Sequence, residues 1–291
     1  MIELIEKASV LIEALPYIQK FRKAIVVVKF GGSAMEDPDL IESVIRDVVL
    51  MECIGMRPVV VHGGGKAISA RLENMGIPVK KTGGMRHTCE ATIKVVDDVL
   101  HNEVNSHLLT LMNKLQGKGQ RVSGKDILQA TKMIVKDPET GDSVDVGYVG
   151  DVSKVDTAHI IDIIRNGEIP IIAPLAKDEQ GNVYNINADI AAAKIAEALT
   201  ARKLVYLSDV PGLLMDPKDE STLIHSIKVS EVEDYIAKGI IAGGMLPKVL
   251  SAVEALKAGT RKVHMIDGRM RHSLLLELFT DSGVGTEIIE N

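Results

Sequence analysis

Twice within its first 70 residues the chain ends an apolar, β-branched run on consecutive glycines and turns at once into a helical pattern. Residues 25–30 lead into Gly31-Gly32-Ser33, and residues 58–62 lead into Gly63-Gly64-Gly65-Lys66. Strand, glycine turn, helix and strand again in that order predict a parallel sheet with helices on both faces, because parallel neighbours need a crossover. The glycines then fall at the carboxyl ends of adjacent strands, where open α/β sheets hold ligands.

The same reading extends along the chain. Further strands are expected at residues 169–173, 204–208 and 262–266. Helices are expected at 38–51, from 67, at 88–115, 188–201, 231–238, 246–257 and 271–279, with Ser230 and Glu233 as a capping box. Residues 127–155 alternate on either side of the turn at 137–142, which predicts a β-hairpin placed to act as a lid. Leu4, Ala8, Leu11 and Leu15 recur at helical spacing before Pro16, so residues 2–15 read as an amphipathic helix lying outside the main body. A length of 291 residues suggests about two lobes. The division expected is an arm at 1–24, one lobe at 25–178 and another at 179–291, joined near 174–178.

Composition narrows the function. Apolar residues at 46% and charged ones at 25% describe a globular chain. A net charge of −6 argues against a general partner for nucleic acid, and 3% aromatics with no Trp removes the stacking platforms of single-strand binders. No run approaches the roughly 18 apolar residues of a membrane span, and no basic leader precedes an apolar block. Cys53 and Cys89 form neither a disulfide framework nor a metal spacing, so a reducing cytoplasm is the expected setting. His62, His87 and His101 show no metal spacing either and read as locally satisfied structural residues.

Four motifs carry chemistry. Lys29 precedes the first glycine pair, where close backbone amides, a helix N-terminus and a full positive charge make an anion cradle; alone, it could be an ordinary strand-to-helix turn. Three glycines at 63–65 sacrifice about 1 kcal/mol each in regular structure, which a ligand approaching the backbone explains better than a turn does. Asn185-Ile186-Asn187-Ala188-Asp189 opens an Ala-rich helix; one acid there would be a cap, but two amides and a carboxylate exceed capping needs. Gly243 and Gly244 lead to Lys248 near a helix N-terminus, where the macrodipole disfavours a cation and calls for an anion. The Gly119-to-Lys125 spacing mimics a P-loop, but Asp126 replaces the required hydroxyl. Neither a dinucleotide fingerprint nor a protein-kinase loop is present.

Together, from about residue 25 onward, these motifs resemble the amino acid kinase family. The resemblance implies a three-layer αβα sandwich with a mostly parallel central sheet, here with an N-terminal helical arm. It implies transfer of the γ-phosphoryl group of ATP, with Mg2+, to the side-chain carboxylate of N-acetyl-L-glutamate, the second step of arginine biosynthesis. The 25–178 lobe would hold the acyl substrate and the 179–291 lobe the nucleotide. Lys29 and Lys248 would neutralise the phosphoryl group in flight, Asp189 would hold both lysines, and amides near Gly32 and Gly64 would bind phosphoryl oxygens. Gly64, Gly65, Arg86 and Asn185 would bind substrate. Ser208, Asp209, Gly212, Leu213, Ile240, Gly243, Gly244 and Lys248 would bind nucleotide, and no protein-held metal is expected. Lys66 and His87 depart from residues common in the family, which bears on substrate affinity.

The arm and residues 278–286 resemble the arginine-inhibited branch, a homohexamer built as a trimer of dimers in which L-arginine binds between arm and C-terminal lobe. Tyr17, Glu277 and Gly283 are the candidates there; otherwise Glu277 reads as a carboxylate on a solvated helix face. A nitrogen-signalling protein as partner stays open. Within the family, Arg86 and the Asn185-to-Asp189 motif favour an N-acylated amino acid over aspartate, glutamate, carbamate or UMP. A catalytically silent arginine sensor is the alternative from another class, and the retained Lys29, Asp189 and Lys248 argue against it.

Overall fold

A computed structural model describes residues 5, 9, 12–137, 140–280 and 283–291. The expected ladder forms one eight-stranded sheet. From edge to edge it runs β12 (Ser226–Lys228), β14 (Thr286–Ile289), β13 (Lys262–Asp267), β11 (Lys203–Ser208), β1 (Ile25–Phe30), β2 (Arg57–His62), β8 (Ile169–Ala173) and β5 (Gly119–Ser123). Only the β13–β14 pair is antiparallel.

Period-2 alternation splits each central strand between two cores. Val27, Val59, Leu204 and Tyr206 face one core, made with α6 (Ala158–Arg165), α7 (Ala188–Ala198), α8 (Val232–Ala237) and α9 (Met245–Lys257). Val26, Val28, Phe30, Val60 and Val205 face the other, made with α2 (Pro38–Cys53), α5 (Ser106–Lys114) and α10 (Ser273–Phe279). Helix, sheet and helix layers follow, the αβα sandwich that the resemblance implied. No helix among the described residues is long and apolar enough to cross a membrane.

Several expectations change. The 127–155 hairpin exists as β6 (Leu128–Lys136) and β7 (Ser143–Val155), but it is not a free lid. With β9 (Leu175–Lys177) and β10 (Val183–Ile186) it closes a four-stranded ring packed against α7. Asp178 turns β9 into β10 by accepting the amides of Gln180 and Asn182. Pro138 and Glu139 of the predicted turn lie outside the described residues.

The long helix predicted at 88–115 is α4 (Glu90–Asp98), a π-helical turn at Val99–Asn105, and α5. The wide turn swings Asn105 onto the sheet, where its Nδ2 donates to the Ile171 carbonyl at 2.9 Å.

At the N-terminus, Leu4, Ala8 and Leu11 lie outside the described residues. The helical run through Ile12 and Glu13 breaks at Ala14, and Pro16 stands in the first turn of the next helix, α1 (Leu15–Phe21), where its missing N–H is harmless. Ile5 and Ile12 of the expected outer helix are exposed, whereas α1 packs on the body: Phe21 is 3% exposed, with Lys203 Nζ 5.1 Å from its ring centroid. Nor do Ser230 and Glu233 form a capping box. A 3₁₀ turn at Val229–Glu231 intervenes, so Glu231 accepts from the Lys228 amide and the Ser230 amide donates to Asn291.

Candidate active site

Lys29 occupies the penultimate position of β1, in register with Tyr206 on one side and Val61 on the other. Its side chain points to the α7 face of the sheet. Nζ lies 2.9 Å from Asp189 Oδ1, and Lys248 Nζ, from the first turn of α9, lies 3.0 Å from Oδ2. Asp189 does not cap its helix: Asn187 does, accepting from the amides of Asp189 and Ile190, which leaves the carboxylate to the lysines. Burial alone would push the Asp189 carboxyl up, but Lys29 and Lys248 outweigh it and hold it below its ordinary range. The anion that Lys248 meets at its helix N-terminus is therefore Asp189. Two cations share one buried anion, and the local excess is positive.

The glycine turns face this group. Gly32 takes φ +72°, a left-handed conformation natural to glycine. The next residue, Ser33, donates its amide and hydroxyl to Asp209 Oδ1 at 2.6 and 2.8 Å, tying the turn to the end of β11. In the second turn the Gly63 amide donates to the Phe30 carbonyl, lacing the two turns together. A Cβ on Gly64 would lie 2.5 Å from Leu100 Cδ2 of the π turn, so packing as well as ligand access demands glycine there.

A cavity of about 220 Å³ opens between the turns and the ring. Lys29, Gly32, Gly64, Gly65, Arg86, Asn185 and Asp189 line it, together with Lys81, Leu100 and Asn187. Arg86 arrives from a short hairpin of β3 (Lys81–Thr82) and β4 (Met85–Arg86). Its Nη2 donates to the Gly65 carbonyl at 2.7 Å and Ser69 Oγ at 2.8 Å. Nη1 is buried with no hydrogen-bond partner among the described residues. Burial draws the Arg86 pKa below its ordinary value, which an incoming anion would reverse. His87 stays structural, bonded to Thr82 across the hairpin.

The nucleotide candidates lie outside that cavity's lining. Ser208 ends β11 and accepts from the Gly268 amide. Leu213 turns into the core, its amide bonded to Thr286 Oγ1, and Gly212 packs on the same hydroxyl. Ile240, Gly243 and Gly244 form the turn before α9.

Tyr17, Glu277 and Gly283 come together around a separate cavity of about 210 Å³, with Lys20, Lys203 and His264. Glu277 is not on a solvated face. It is 6% exposed and accepts from His264 Nδ1 at 2.5 Å and from the Val284 and Gly285 amides. Burial raises its pKa, but those donors prevail and hold it below the usual carboxylate range.

Sequence reasoning missed the Ser33–Asp209 link and Asn105. A polar amide within the apolar stretch Leu100, Val104 and Leu108 was the available signal for Asn105.

The sequence model of the amino acid kinase family matches residues 24–267. An acetylglutamate kinase from Carboxydothermus hydrogenoformans is 48% identical over 286 residues, 97% of each chain. Among solved structures, N-acetylglutamate synthase from Neisseria gonorrhoeae complexed with coenzyme A and N-acetyl-glutamate aligns with a TM-score of 0.83 at 26% identity. The alignment covers 98% of this chain and 63% of the synthase chain, so the chain spans less than two thirds of that enzyme. The same synthase complexed with coenzyme A and L-arginine aligns with a TM-score of 0.78 at 26% identity, over 95% of this chain and 64% of that one.

Proposed function

This chain belongs to the amino acid kinase family, and on that premise we propose that it moves the γ-phosphoryl group of ATP to the side-chain carboxylate of N-acetyl-L-glutamate. The products are N-acetyl-L-glutamyl 5-phosphate and ADP. The observation that carries the reading is the convergence of Lys29 and Lys248, from two different elements, on buried Asp189 beside two glycine turns.

Phosphoryl transfer needs positioning and charge neutralisation rather than a covalent protein intermediate. Lys29 and Lys248 would meet the charge on the transferred group, and Asp189, with both oxygens engaged, would act as their spacer and not as a base. Amides at Gly32 and Gly64 would receive phosphoryl oxygens. Arg86 would offer its unpartnered Nη1 to the substrate α-carboxylate, a planar fork suited to that group. Gly65 of the 25–178 lobe and Asn185, which reaches the same cavity from β10, would complete the acyl site. Mg2+ would arrive with the nucleotide phosphates, and Ser208, Asp209, Gly212, Leu213, Ile240, Gly243 and Gly244 would receive the nucleotide on the 179–291 lobe.

We further infer feedback inhibition by L-arginine in a cytoplasmic homohexamer, with Tyr17, Glu277 and Gly283 at the effector site. A carboxylate held ionised beside a cavity roofed by the arm helix supports that placement.

The test is acyl phosphate formation from N-acetylglutamate, glutamate and aspartate, with Lys29→Ala and Lys248→Ala as controls. N-acetylglutamate should be the preferred substrate and both controls should be inactive. No acyl phosphate from N-acetylglutamate would overturn the assignment.

A further inference from the structure

His62 ends β2 and is completely buried, directly ahead of the glycine triplet. Its Nδ1 lies 2.7 Å from the carbonyl oxygen of Gly63. A carbonyl oxygen only accepts, so this contact requires the proton on Nδ1. On the other side of the ring, Asn105 Nδ2 lies 3.1 Å from Nε2 and also donates to the Ile171 carbonyl at 2.9 Å. The Ile171 bond fixes which end of the Asn105 amide carries the hydrogens. Nε2 therefore faces a donor and must present its lone pair. Two independent contacts select the same tautomer, neutral with the proton on Nδ1. Burial supports that state by drawing the pKa of His62 down to about 4.

The peptide between Gly63 and Gly64 is trans and planar, so its carbonyl and its N–H point in opposite directions. Holding the Gly63 carbonyl against His62 turns the Gly64 N–H away from the core. Gly64 lines the cavity that holds Lys29, Arg86 and Asp189, and its amide has no protein acceptor among the described residues.

We propose that His62 is a positioning residue for phosphoryl transfer: its Nδ1–H anchors the Gly63 carbonyl so that the Gly64 N–H stays aimed at the phosphoryl group, and Asn105 sets the tautomer that makes this possible. The π turn at Val99–Asn105 acquires a purpose from this, since it delivers Asn105 to the sheet. The proposal rests on the phosphoryl-transfer reading given above.

The test pairs a spectrum with a set of variants. Long-range 1H–15N correlation of imidazole-labelled full-length enzyme at neutral pH should show His62 protonated at Nδ1 and not at Nε2. His62→Leu should lower kcat about 30-fold, since loss of an oxyanion donor outright is worth about 100-fold or more, while KM for ATP and for N-acetylglutamate shifts less than about threefold. An Asn side chain places its NH2 where Nδ1 stood, whereas Gln places its own where Nε2 stood. His62→Asn should therefore restore most of kcat and His62→Gln should not. Equal rescue by Gln, a loss confined to KM, or a proton on Nε2 would each overturn the proposal. The spectrum decides even where His62→Leu fails to fold. If the unaltered enzyme forms no acyl phosphate, it is the substrate reading that fails, and the Nδ1 assignment still stands or falls on the spectrum.

Discussion

Lys29 Nζ lies 2.9 Å from Asp189 Oδ1, and each side chain keeps only about a tenth of its exposure. Removing one partner of so buried a pair leaves the other charge uncompensated, worth about 3–5 kcal/mol in comparable sites. Asp189→Asn retains shape and loses the anion between two lysines. It should lower kcat by about 100-fold or more, read from initial rates at saturating substrates. Activity within twofold of the unaltered enzyme would remove Asp189 from the site.

Arg86→Lys keeps the charge but not the fork that spans Gly65, Ser69 and an unpartnered Nη1. The KM for N-acetylglutamate should rise at least about tenfold while that for ATP stays within about twofold, since one charged hydrogen bond is worth about 1.5–3 kcal/mol. Equal effects on both KM values would place Arg86 elsewhere than in the acyl site.

Asp47 is buried on α2 with His272 Nδ1 at 2.5 Å from its Oδ1, and desolvation raises its pKa from 3.8 to about 6 in spite of that contact. The folded state then binds the proton more tightly than the unfolded chain between these values, so this group's contribution to stability falls as pH rises from about 4 to 6. The full shift corresponds to about 3 kcal/mol. Asp47→Asn abolishes the titration, so its Tm relative to the unaltered protein should climb across pH 4 to 7. His62 titrates in the opposite sense in both proteins and cancels in the difference. A Tm difference that stays flat over this range would contradict the shift.

Tyr17 stacks edge-on against Phe279 at 6.3 Å and borders the cavity that holds Glu277. Cutting the chain at residue 22 would remove Phe21 from the core along with the arm, confusing regulation with stability. Tyr17→Ala avoids this. It should leave uninhibited kcat within about twofold and raise the arginine concentration for half inhibition about tenfold, as loss of an aromatic contact worth about 1.4 kcal/mol would. Unchanged inhibition would separate Tyr17 from the effector site.

Gly64→Ala would press a methyl against Leu100 Cδ2, and overpacking of this kind costs about 1–3 kcal/mol. Leu100→Ala alone removes a buried side chain, but in the double variant the total loss by denaturant melts should be smaller than the sum of the two single losses, since the shortened neighbour makes room for the methyl. Additive losses would show that the clash lies elsewhere.

The parallel sheet and the Lys29, Asp189 and Lys248 cluster were legible because strand period, glycine turns and a cation at a helix N-terminus are local signals that agree with one another. Asp189 itself was ambiguous from sequence, since capping by Asn187 and Asp189 reads alike until the backbone shows which amide each one meets. The ring of β6, β7, β9 and β10 was read as a hairpin because its closure depends on pairing across about 50 residues, which no local pattern encodes. Asn105 was hidden because α-helical periodicity assigns it to the wrong face; only one wide turn brings it to His62. Glu277 could be read either as an effector-site carboxylate or as an acid on a solvated helix face, because its three donors come from β13 and from the backbone that follows Glu277.

β1 pairs on one side with β2 and on the other with β11. The strand that carries Lys29 is thus the seam between the first half of the chain and the last, stitched by main-chain hydrogen bonds along both edges. Parting the two halves at β1 would break the main-chain ladder along one of its edges. The lysine and the two glycine turns that follow β1 and β2 therefore sit on interior strands of one continuous sheet, held in place from both sides.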